Sequence, residues 1–395
     1  MPPVEAWYKR TRRFLYRTEP PSPMYELWRQ LRHLLFLSSS LLVVAPGLAA
    51  DTAQEFRFAT EGYRYAFPRD HGAHEEFRTE WWYYTGQVMT KGGRPFGYEL
   101  TFFRRALLPD DQVPERESAW ASNQIYMAHF ALTDVEGDAF YAYERFSRGA
   151  LGLAGASGAP YAVWLEDWRV EQTGPDNFHL TASTGELAID LDLVSEKDPV
   201  LHGELGYSRK GPEAGNASYY YSQTRLASQG RVRIGEEDFQ VSGLSWKDHE
   251  FSTSALTADQ QGWDWFSIQL DNGYELMLYQ VRRTDGSIDP FSNGTWIAPD
   301  GSTTQLALGD FEIEASGEWR SPHSEALYPM GWTIRIPQLD LELQVSPYIE
   351  DQELNFAFIY WEGAAQVAGT WRGATIGGQG YVEMTGYAEA LGGQF

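Results

Sequence analysis

Cysteine is absent from the 395-residue chain. This excludes disulfide bonds, a thiol nucleophile and cysteine-ligated metal sites. Basic residues are also scarce, since 31 Lys and Arg stand against 55 Asp and Glu and give a net charge of -24. A surface this acidic repels phosphate backbones, so nucleic acid is not an expected partner.

Several catalytic motifs are missing as well. The chain has no Gly-x-Ser-x-Gly, no His-Glu-x-x-His and no phosphate-binding loop, so neither a nucleophile elbow nor a zinc-protease helix is indicated. Any catalysis is therefore expected to be acid–base or electrostatic, without a cofactor or a bound metal.

Long apolar runs are absent except near the N-terminus. Residues 34–44 form an apolar run of 11, preceded by basic residues and followed by the small residues 45–50. This pattern is typical of a secretory signal, because the run is shorter than the roughly 20 residues that a membrane span needs. We expect residues 1–50 to be an N-terminal extension and signal peptide, cleaved near Ala49 or Ala50, and the mature protein to be secreted or periplasmic. An uncleaved anchor is the alternative, and Met24 is an alternative start of translation.

Aromatic residues and glycine are abundant: aromatics make up 15% of the chain and there are 38 Gly. This composition favours strands and turns. Residues 79–105 and 261–283 resemble each other, since both run from an aromatic cluster through Gly-Tyr-Glu-Leu to a strand that ends in Arg-Arg. Each copy is predicted to be a β-hairpin.

Further matches follow in the same order, pairing 165–171 with 308–314, 187–193 with 339–345 and 234–243 with 376–386. An internal duplication is therefore predicted. We expect an all-β protein with two tandem lipocalin-like (calycin) β-barrel domains, residues 51–250 and 251–395, whose interiors can each hold a small ligand. A pair of β-sandwiches is the alternative.

The first candidate cluster joins the acidic, histidine-containing segment 70–76 to Glu80, Trp81, Trp82 and Tyr83. Its two histidines, three residues apart, are possible metal ligands, but no third ligand at a suitable spacing is identifiable. Glu80 lies within an aromatic run, where a buried carboxyl has a raised pKa. It is a candidate catalytic acid, with hydrogen-bonded structural support as the alternative.

The second cluster lies at the junction of the two copies, where pockets often form. Asp248 and His249 are adjacent there, with Trp246 and Phe251 as flanking walls. They are candidate proton donors and acceptors, and an interdomain hydrogen-bonded plug is the alternative.

The third cluster is Trp263-Asp264-Trp265, in the strand that matches residues 80–83. A carboxyl between indoles favours its neutral acid form if it is buried. Alternation places Asp264 on the opposite face from both indoles, without indicating which face points inward. His129, Tyr279 and Trp361 are weaker candidates for substrate contacts.

At EWWYYTG (80–86), WKDHE (246–250), GWDWF (262–266), YPMGW (328–332) and YWEGA (360–364) the chain resembles the AttH/CrtC family, over essentially all of 56–390. This family includes carotenoid 1,2-hydratases, and many members are described as predicted secreted hydrolases. The resemblance implies tandem lipocalin-like domains. It also implies a site near Asp248, His249, Trp263, Asp264 and Trp265.

By this resemblance the expected activity is that of a hydro-lyase. Asp264 or Asp248 would protonate a C=C bond of an isoprenoid, carotenoid-like molecule, the indoles would stabilise the cation, and His249 or a carboxylate would activate water. The alternative is a non-catalytic carrier of an apolar ligand, associated with an ABC exporter. Convergence of Asp264 and Asp248 in one cavity would favour the enzyme, whereas pairing with Arg or Lys would favour the carrier.

Overall fold

The computed structural model describes residues 56–254 and 256–392, with the side chain of residue 110 left out. The predicted signal peptide and its cleavage site lie outside these residues. The described part is built from 25 strands and short 3-10 turns, without an α-helix. None of its helical segments has the length and apolarity needed to cross a bilayer.

Thirteen strands form the first sheet, here called the N-terminal barrel. They are β1 (Thr79–Thr90), β2 (Pro95–Ala106), β3 (Gln124–Asp134), β4 (Ala139–Arg148), β5 (Ala154–Gly158), β6 (Tyr161–Leu165), β7 (Trp168–Gly174), β8 (Asn177–Ser183), β9 (Leu187–Ser195), β10 (Val200–Leu201), β11 (Tyr207–Arg209), β12 (Ala217–Ile234) and β13 (Glu237–Ser254). Their order is β4-β3-β2-β1-β13-β12-β9-β8-β7-β6-β5, and β10 and β11 pair with β12. The sheet curls into a nearly closed barrel, because the first strand pairs with the last.

Ten strands form the second sheet, here called the C-terminal half-barrel. They are β14 (Gln260–Leu270), β15 (Glu275–Arg283), β16 (Asn293–Ile297), β17 (Thr303–Ala307), β18 (Glu312–Ser316), β21 (Gly331–Ile336), β22 (Leu341–Pro347), β23 (Glu353–Asn355), β24 (Ile359–Trp371) and β25 (Ala374–Thr385). Their order is β17-β16-β15-β14-β25-β24-β22-β21-β18, with β23 beside β24. A separate two-stranded ribbon joins β19 (Trp319–Arg320) to β20 (Leu327–Tyr328).

The two sheets share one topology, which confirms the predicted all-β fold and its internal duplication. In each, a meander of four strands is followed by a second meander whose last strand returns to pair with the first, β13 with β1 and β25 with β14. The two copies of the repeated segment are hairpins, β1–β2 and β14–β15. Strand β13 runs past the domain boundary predicted at residue 250, and the described residues from 56 onward belong to one compact unit.

Side chains fill the interior of the N-terminal barrel. Strand alternation directs Trp82 and Tyr84 of β1 into this core, where they join Phe102, Phe130 and Trp168. Phe266, Trp332 and Trp361 occupy the corresponding core of the C-terminal half-barrel. The prediction that a barrel interior holds the ligand is therefore not supported, because aromatic and aliphatic side chains occupy that space.

A third core lies between the two sheets, which meet along their outer faces. Tyr83, Tyr220 and Trp246 of the N-terminal barrel pack there against Trp265 and Tyr279 of the C-terminal half-barrel. The alternation that sends Trp82 inward sends its neighbours Trp81 and Tyr83 to this junction. Each strand at the junction therefore contributes to two cores at once.

Close backbone approach at the junction explains one glycine of the repeated tetrapeptide. A Cβ at Gly97 would collide with the Cβ of Ala364 in the other sheet. The equivalent Gly273 has a different role, since it lies in the β14–β15 turn at φ +84°, a conformation that favours glycine.

Candidate active site

A cavity of about 80 Å³ opens at the junction of the two sheets. Four strands of each sheet contribute to its walls (β1, β2, β12 and β13; β14, β15, β24 and β25), so neither sheet encloses it alone. It is lined by Trp81, Tyr83, Phe103, Lys210, Tyr220, Asp248, Glu250, Leu256, Trp263, Trp265, Tyr279, Val281, Phe358, Tyr360, Glu362 and Glu383. Aromatic rings dominate the wall, and four carboxyl groups are set among them.

The two walls repeat one arrangement, as the duplication requires. On the N-terminal barrel, Trp81 of β1 lies directly opposite Glu250 of β13. On the C-terminal half-barrel, Trp265 of β14 lies directly opposite Glu383 of β25. Each sheet therefore presents an indole beside a glutamate to the cavity.

Asp248 is buried and accepts three hydrogen bonds. The Tyr220 hydroxyl donates to it at 2.5 Å and the Trp246 Nε1 at 2.6 Å, and the Ser222 hydroxyl donates to the same carboxyl. Burial raises the pKa of Asp248 to about 7, although these hydrogen bonds oppose the shift. A carboxyl group with that pKa can both give and take a proton near neutrality.

The Tyr220 hydroxyl links Asp248 to the opposite wall, because it accepts a hydrogen bond from Trp265 Nε1 at 3.0 Å. Burial first of all, and then the neighbouring Asp248, raise the pKa of Tyr220 well above its usual value. Tyr220 therefore remains a neutral donor that fixes the orientation of the aspartate.

Glu362 and Glu383 are directly opposite each other on β24 and β25. Tyr83 of the N-terminal barrel donates to Glu362 Oε2 at 2.8 Å. Desolvation raises the pKa of both carboxyls, that of Glu383 to about 8. The negative charges of Glu383 and Glu99 raise the pKa of Glu362 further.

Lys210 is the cation of the cavity wall. Its Nζ lies 3.3 Å from Glu250 Oε1 and 4.0 Å from the ring centroid of Tyr279. Burial alone would lower the pKa of Lys210, but Glu250 and Tyr279 raise it above its usual value. Glu250 is thereby compensated, in contrast to Glu383 on the other wall.

Glu80 and His249 lie inside the N-terminal barrel, away from the cavity. Glu80 Oε1 is 2.8 Å from His249 Nε2 and 2.7 Å from His74 Nδ1, and Arg104 donates to Oε2 at 2.9 Å. Burial would raise the pKa of Glu80, but His74 and Arg104 hold it well below its usual range. Glu80 is thus an ionised structural anchor, and the catalytic roles predicted for it and for His249 are not supported by their position.

His74, Glu80 and His249 also bring possible ligand atoms within 4.8 Å of one another. The spacing of residues in the sequence did not reveal this set, since His249 comes from a distant strand. The carboxylate already accepts from both imidazoles and from Arg104, and His249 Nδ1 is 3.0 Å from the Tyr221 hydroxyl. The possible ligand atoms are therefore already engaged in hydrogen bonds with one another and with Arg104 and Tyr221. The arrangement fits a hydrogen-bonded cluster better than a metal site.

Asp264 is separated from the cavity by strand alternation. Trp263 and Trp265 line the cavity, whereas Asp264 points to the other side of β14. There it is 3.2 Å from Arg282 Nε and 3.3 Å from the Tyr387 hydroxyl. Asp264 and Asp248 do not converge in one cavity, and the pairing of Asp264 with Arg282 is the arrangement expected of a carrier.

Some of the residues predicted to contact the substrate line the cavity, and others lie elsewhere. Trp81, Tyr83, Trp263, Trp265 and Tyr279 line the cavity. Trp82 stacks on His249 inside the N-terminal barrel, and Trp361 donates to a backbone carbonyl in the other core. Trp246 and His129 do not line the cavity but lie next to residues that do.

Those two residues each contact a lining residue. Trp246 holds Asp248, while His129 Nδ1 is 2.5 Å from the hydroxyl of the lining residue Tyr360 and its Nε2 is 3.2 Å from Glu144. Both support the cavity wall without forming it.

Sequence reasoning missed Tyr220, Glu383 and Lys210 as residues of the site, and it assigned no role to Glu250 or Glu362, which lie in the motifs at 246–250 and 360–364. A signal was present for Glu383, which lies between Val382 and Met384 in an apolar strand. A carboxyl group at such a position indicates either a buried polar site or a paired charge, because acidic side chains are rarely buried alone. Lys210 lies in a loop, and nothing in its sequence neighbourhood marks it.

Comparison with known proteins places this geometry in a family. The AttH-like family model matches residues 58–387. The crystal structure of an AttH protein from Nitrosomonas europaea superposes with a TM-score of 0.75 at 32% identity, covering 84% of this chain and 99% of that one.

Kievitone hydratase from Nectria haematococca shares the fold, with a TM-score of 0.64 at 14% identity, covering 82% of this chain and 93% of that one. Dehydratase asqC of Emericella nidulans is 23% identical over 224 residues, which is 53% of this chain and 62% of that protein. The match thus spans less than two thirds of the length of this curated relative. The family match over nearly the whole described region, together with the tandem lipocalin-like architecture, shows that the chain belongs to the AttH-like family.

Proposed function

We propose that this protein is a hydratase or dehydratase that acts on a C=C bond, or on the corresponding alcohol, of an apolar molecule held between the two sheets. The observation that carries the proposal is the environment of Asp248, a buried carboxyl group with a pKa of about 7 in a cavity walled by aromatic rings. Hydratase and dehydratase relatives on the same fold support it.

The chemistry follows from that environment. Asp248 in its neutral form gives its proton to one carbon of the double bond, the π electrons form the new C–H bond, and positive charge develops on the neighbouring carbon. The indole faces of Trp81, Trp263 and Trp265 stabilise that charge. Water then adds to the cation, and dehydration is the reverse sequence. The hydrogen bonds from Tyr220 and Trp246 favour the carboxylate that forms when the proton has left.

Acyclic carotenoids are the first substrates to test, because the long apolar isoprenoid suits an aromatic wall. The purified protein is incubated with them in H2¹⁸O, and mass spectrometry measures incorporation of one labelled water. Asp248→Asn is expected to reduce turnover by a factor of about 10² or more. Asp238→Asn, an exposed aspartate on the same strand, is the matched control and should retain full turnover.

Asp264→Asn distinguishes the two aspartates. Because Asp264 faces Arg282 and not the cavity, this variant should keep its turnover once its folding is verified. Full turnover in Asp248→Asn would contradict the proposal.

A carrier of an apolar ligand is the second candidate function, favoured by the pairing of Asp264 with Arg282. Recovery of an unmodified carotenoid with the protein, and no labelled product, would support it. For either function we propose that the protein acts outside the cytoplasm after signal cleavage, and the carrier would deliver its ligand with an ABC exporter.

A further inference from the structure

Two carboxyl groups on the C-terminal half-barrel face the same cavity from directly opposite positions. Glu362 and Glu383 are cross-strand partners on β24 and β25, so their Cβ atoms lie about 5 Å apart. Glu362 is fully buried, and its Oε1 has no hydrogen-bond partner. Among the described residues, neither carboxyl forms an ion pair with a Lys, Arg or His.

Two negative charges cannot both persist at this position. Like charges directly opposite each other on adjacent strands destabilise a sheet, and burial strengthens their repulsion. Tyr83 supplies one hydrogen bond to Glu362 Oε2 at 2.8 Å, which compensates one charge only in part. The doubly charged pair is therefore unstable. Desolvation raises the pKa of Glu383 to about 8, so the pair keeps at least one proton through neutral pH and carries a single negative charge once Glu383 ionises.

The pair also faces the aspartate across the cavity. Glu383 is half-buried and lines the cavity with Asp248 and Glu250. After the larger effect of desolvation, the negative charges of Glu99, Asp248 and Glu250 raise the pKa of Glu383, while a hydrogen bond with Trp263 opposes the shift. The N-terminal barrel thus contributes Asp248 and the ion-paired Glu250 to the cavity, and the C-terminal half-barrel contributes the pair Glu362 and Glu383.

We propose that Glu362 and Glu383 form a second acid–base unit, which shares one proton and accepts the proton of the water that adds to the substrate. This inference rests on the proposed function, because it assigns the base for the reaction in which Asp248 is the acid. Glu362 and Glu383 are then catalytic residues on the wall opposite Asp248.

The step balances as follows. Asp248 loses its proton to carbon and becomes a carboxylate. The water oxygen forms the C–O bond to the cationic carbon, and one of its protons passes to the singly charged dyad, which becomes neutral. The product is the alcohol. The dyad then releases its extra proton to solvent, and Asp248 regains one, so that no oxidant or other co-reactant is needed.

The sharing of a proton is tested without a substrate. The full chain is labelled with glutamate carrying ¹³C at its side-chain carboxyl, and the resonances are followed by NMR from about pH 4 to 11. Glu362→Gln and Glu383→Gln assign the two signals. Glu318→Gln, an exposed glutamate of the loop between β18 and β19, is the control.

Two separated titration steps are expected, the first near pH 8 for Glu383 and the second above it for Glu362. Glu383→Gln should shift the titration of Glu362 to lower pH, because the neighbouring negative charge is gone, while Glu318→Gln should change neither step. Ionisation of both carboxyls in one step near pH 5, or a Glu362 titration that ignores the replacement at 383, would overturn the dyad.

The base role is tested with the ¹⁸O assay on an acyclic carotenoid. Each Gln variant is expected to lower kcat by a factor of about 10² or more, with KM changed by less than about threefold. Unchanged kcat in both variants would disprove the base role while leaving the hydratase intact. If the unmodified protein hydrates none of these compounds, the proposed function fails, and the NMR result stands independently.

Discussion

Gln87 and Gln269 make equivalent contacts from opposite sides of the junction. Gln87 Nε2 of β1 donates to the backbone carbonyls of Ala365 and Gly380 at 2.8 and 2.6 Å. Gln269 Nε2 of β14 donates to those of Thr224 and Ser245 at 2.8 and 2.9 Å. Each first strand thus contacts the last two strands of the other sheet, as expected from a pseudo-two-fold relation between duplicated sheets.

Replacing either glutamine by leucine should destabilise the docked protein. The change leaves two buried carbonyls without donors, so each variant is expected to cost about 1–3 kcal/mol. Urea unfolding followed by tryptophan fluorescence measures this cost. Gln240→Leu, on an exposed position of β13, is the control. Unchanged midpoints for both Gln87→Leu and Gln269→Leu would show that the contacts contribute nothing.

Stability should fall as the pH rises from about 4 to 7 because of Asp248. Its pKa is raised from 3.8 to about 7 in the folded protein, so in this window the native state holds a proton that the unfolded chain has lost. A shift of that size corresponds to at most about 4 kcal/mol. Asp248→Asn should flatten the dependence of the free energy of unfolding on pH over this range. An identical slope in the variant and the unmodified protein would refute the shift.

Arg104→Met should destabilise the N-terminal barrel by about 3–5 kcal/mol, because it leaves the charge of Glu80 buried without its guanidinium partner. Arg104 also donates to the carbonyls of His74 and Phe77. Chemical denaturation at neutral pH measures the change, with the exposed Arg148→Met as the control. A loss below about 1 kcal/mol would mean that the imidazoles compensate Glu80 by themselves.

Gly97→Ala should weaken docking of the sheets, because the new Cβ meets the Cβ of Ala364. Overpacking of this kind costs about 1–3 kcal/mol. The double variant Gly97→Ala, Ala364→Gly moves the methyl group across the junction and should recover most of the loss. A double-mutant cycle with no coupling between the two positions would contradict the close approach.

Much of the fold could be predicted from the sequence, because the duplication is visible in short repeated segments. The repeated Gly-Tyr-Glu-Leu and Arg-Arg residues lie in equivalent hairpins. In each hairpin an arginine of the Arg-Arg pair binds an acid of the first strand, Arg104 with Glu80 and Arg282 with Asp264. Period-two alternation separated Asp264 from its neighbouring indoles.

The site was less accessible, because alternation does not reveal which face of a strand is covered by another sheet. In 246–251, Asp248 and Glu250 line the cavity while Lys247 and His249 point into the N-terminal barrel, so Asp248 and His249 have different surroundings despite being adjacent. Glu362 and Glu383 are 21 positions apart in the chain, and only the register of β24 and β25 brings them together.

The placement of the acids also determines when the site comes into existence during synthesis. Strands β1 to β13 complete the N-terminal barrel from residues 79–254, and domains generally fold as they emerge from the ribosome, N-terminal part first. At that stage Asp248 has its hydrogen-bond donors Tyr220, Ser222 and Trp246 beside it, but the C-terminal wall of the cavity is absent. Trp263 and Trp265 are added to the cavity by β14, and the acids Glu362 and Glu383 are added by β24 and β25. The β24–β25 hairpin is synthesised last. The cavity and its full set of acids are therefore complete only after the last strands of the chain have docked.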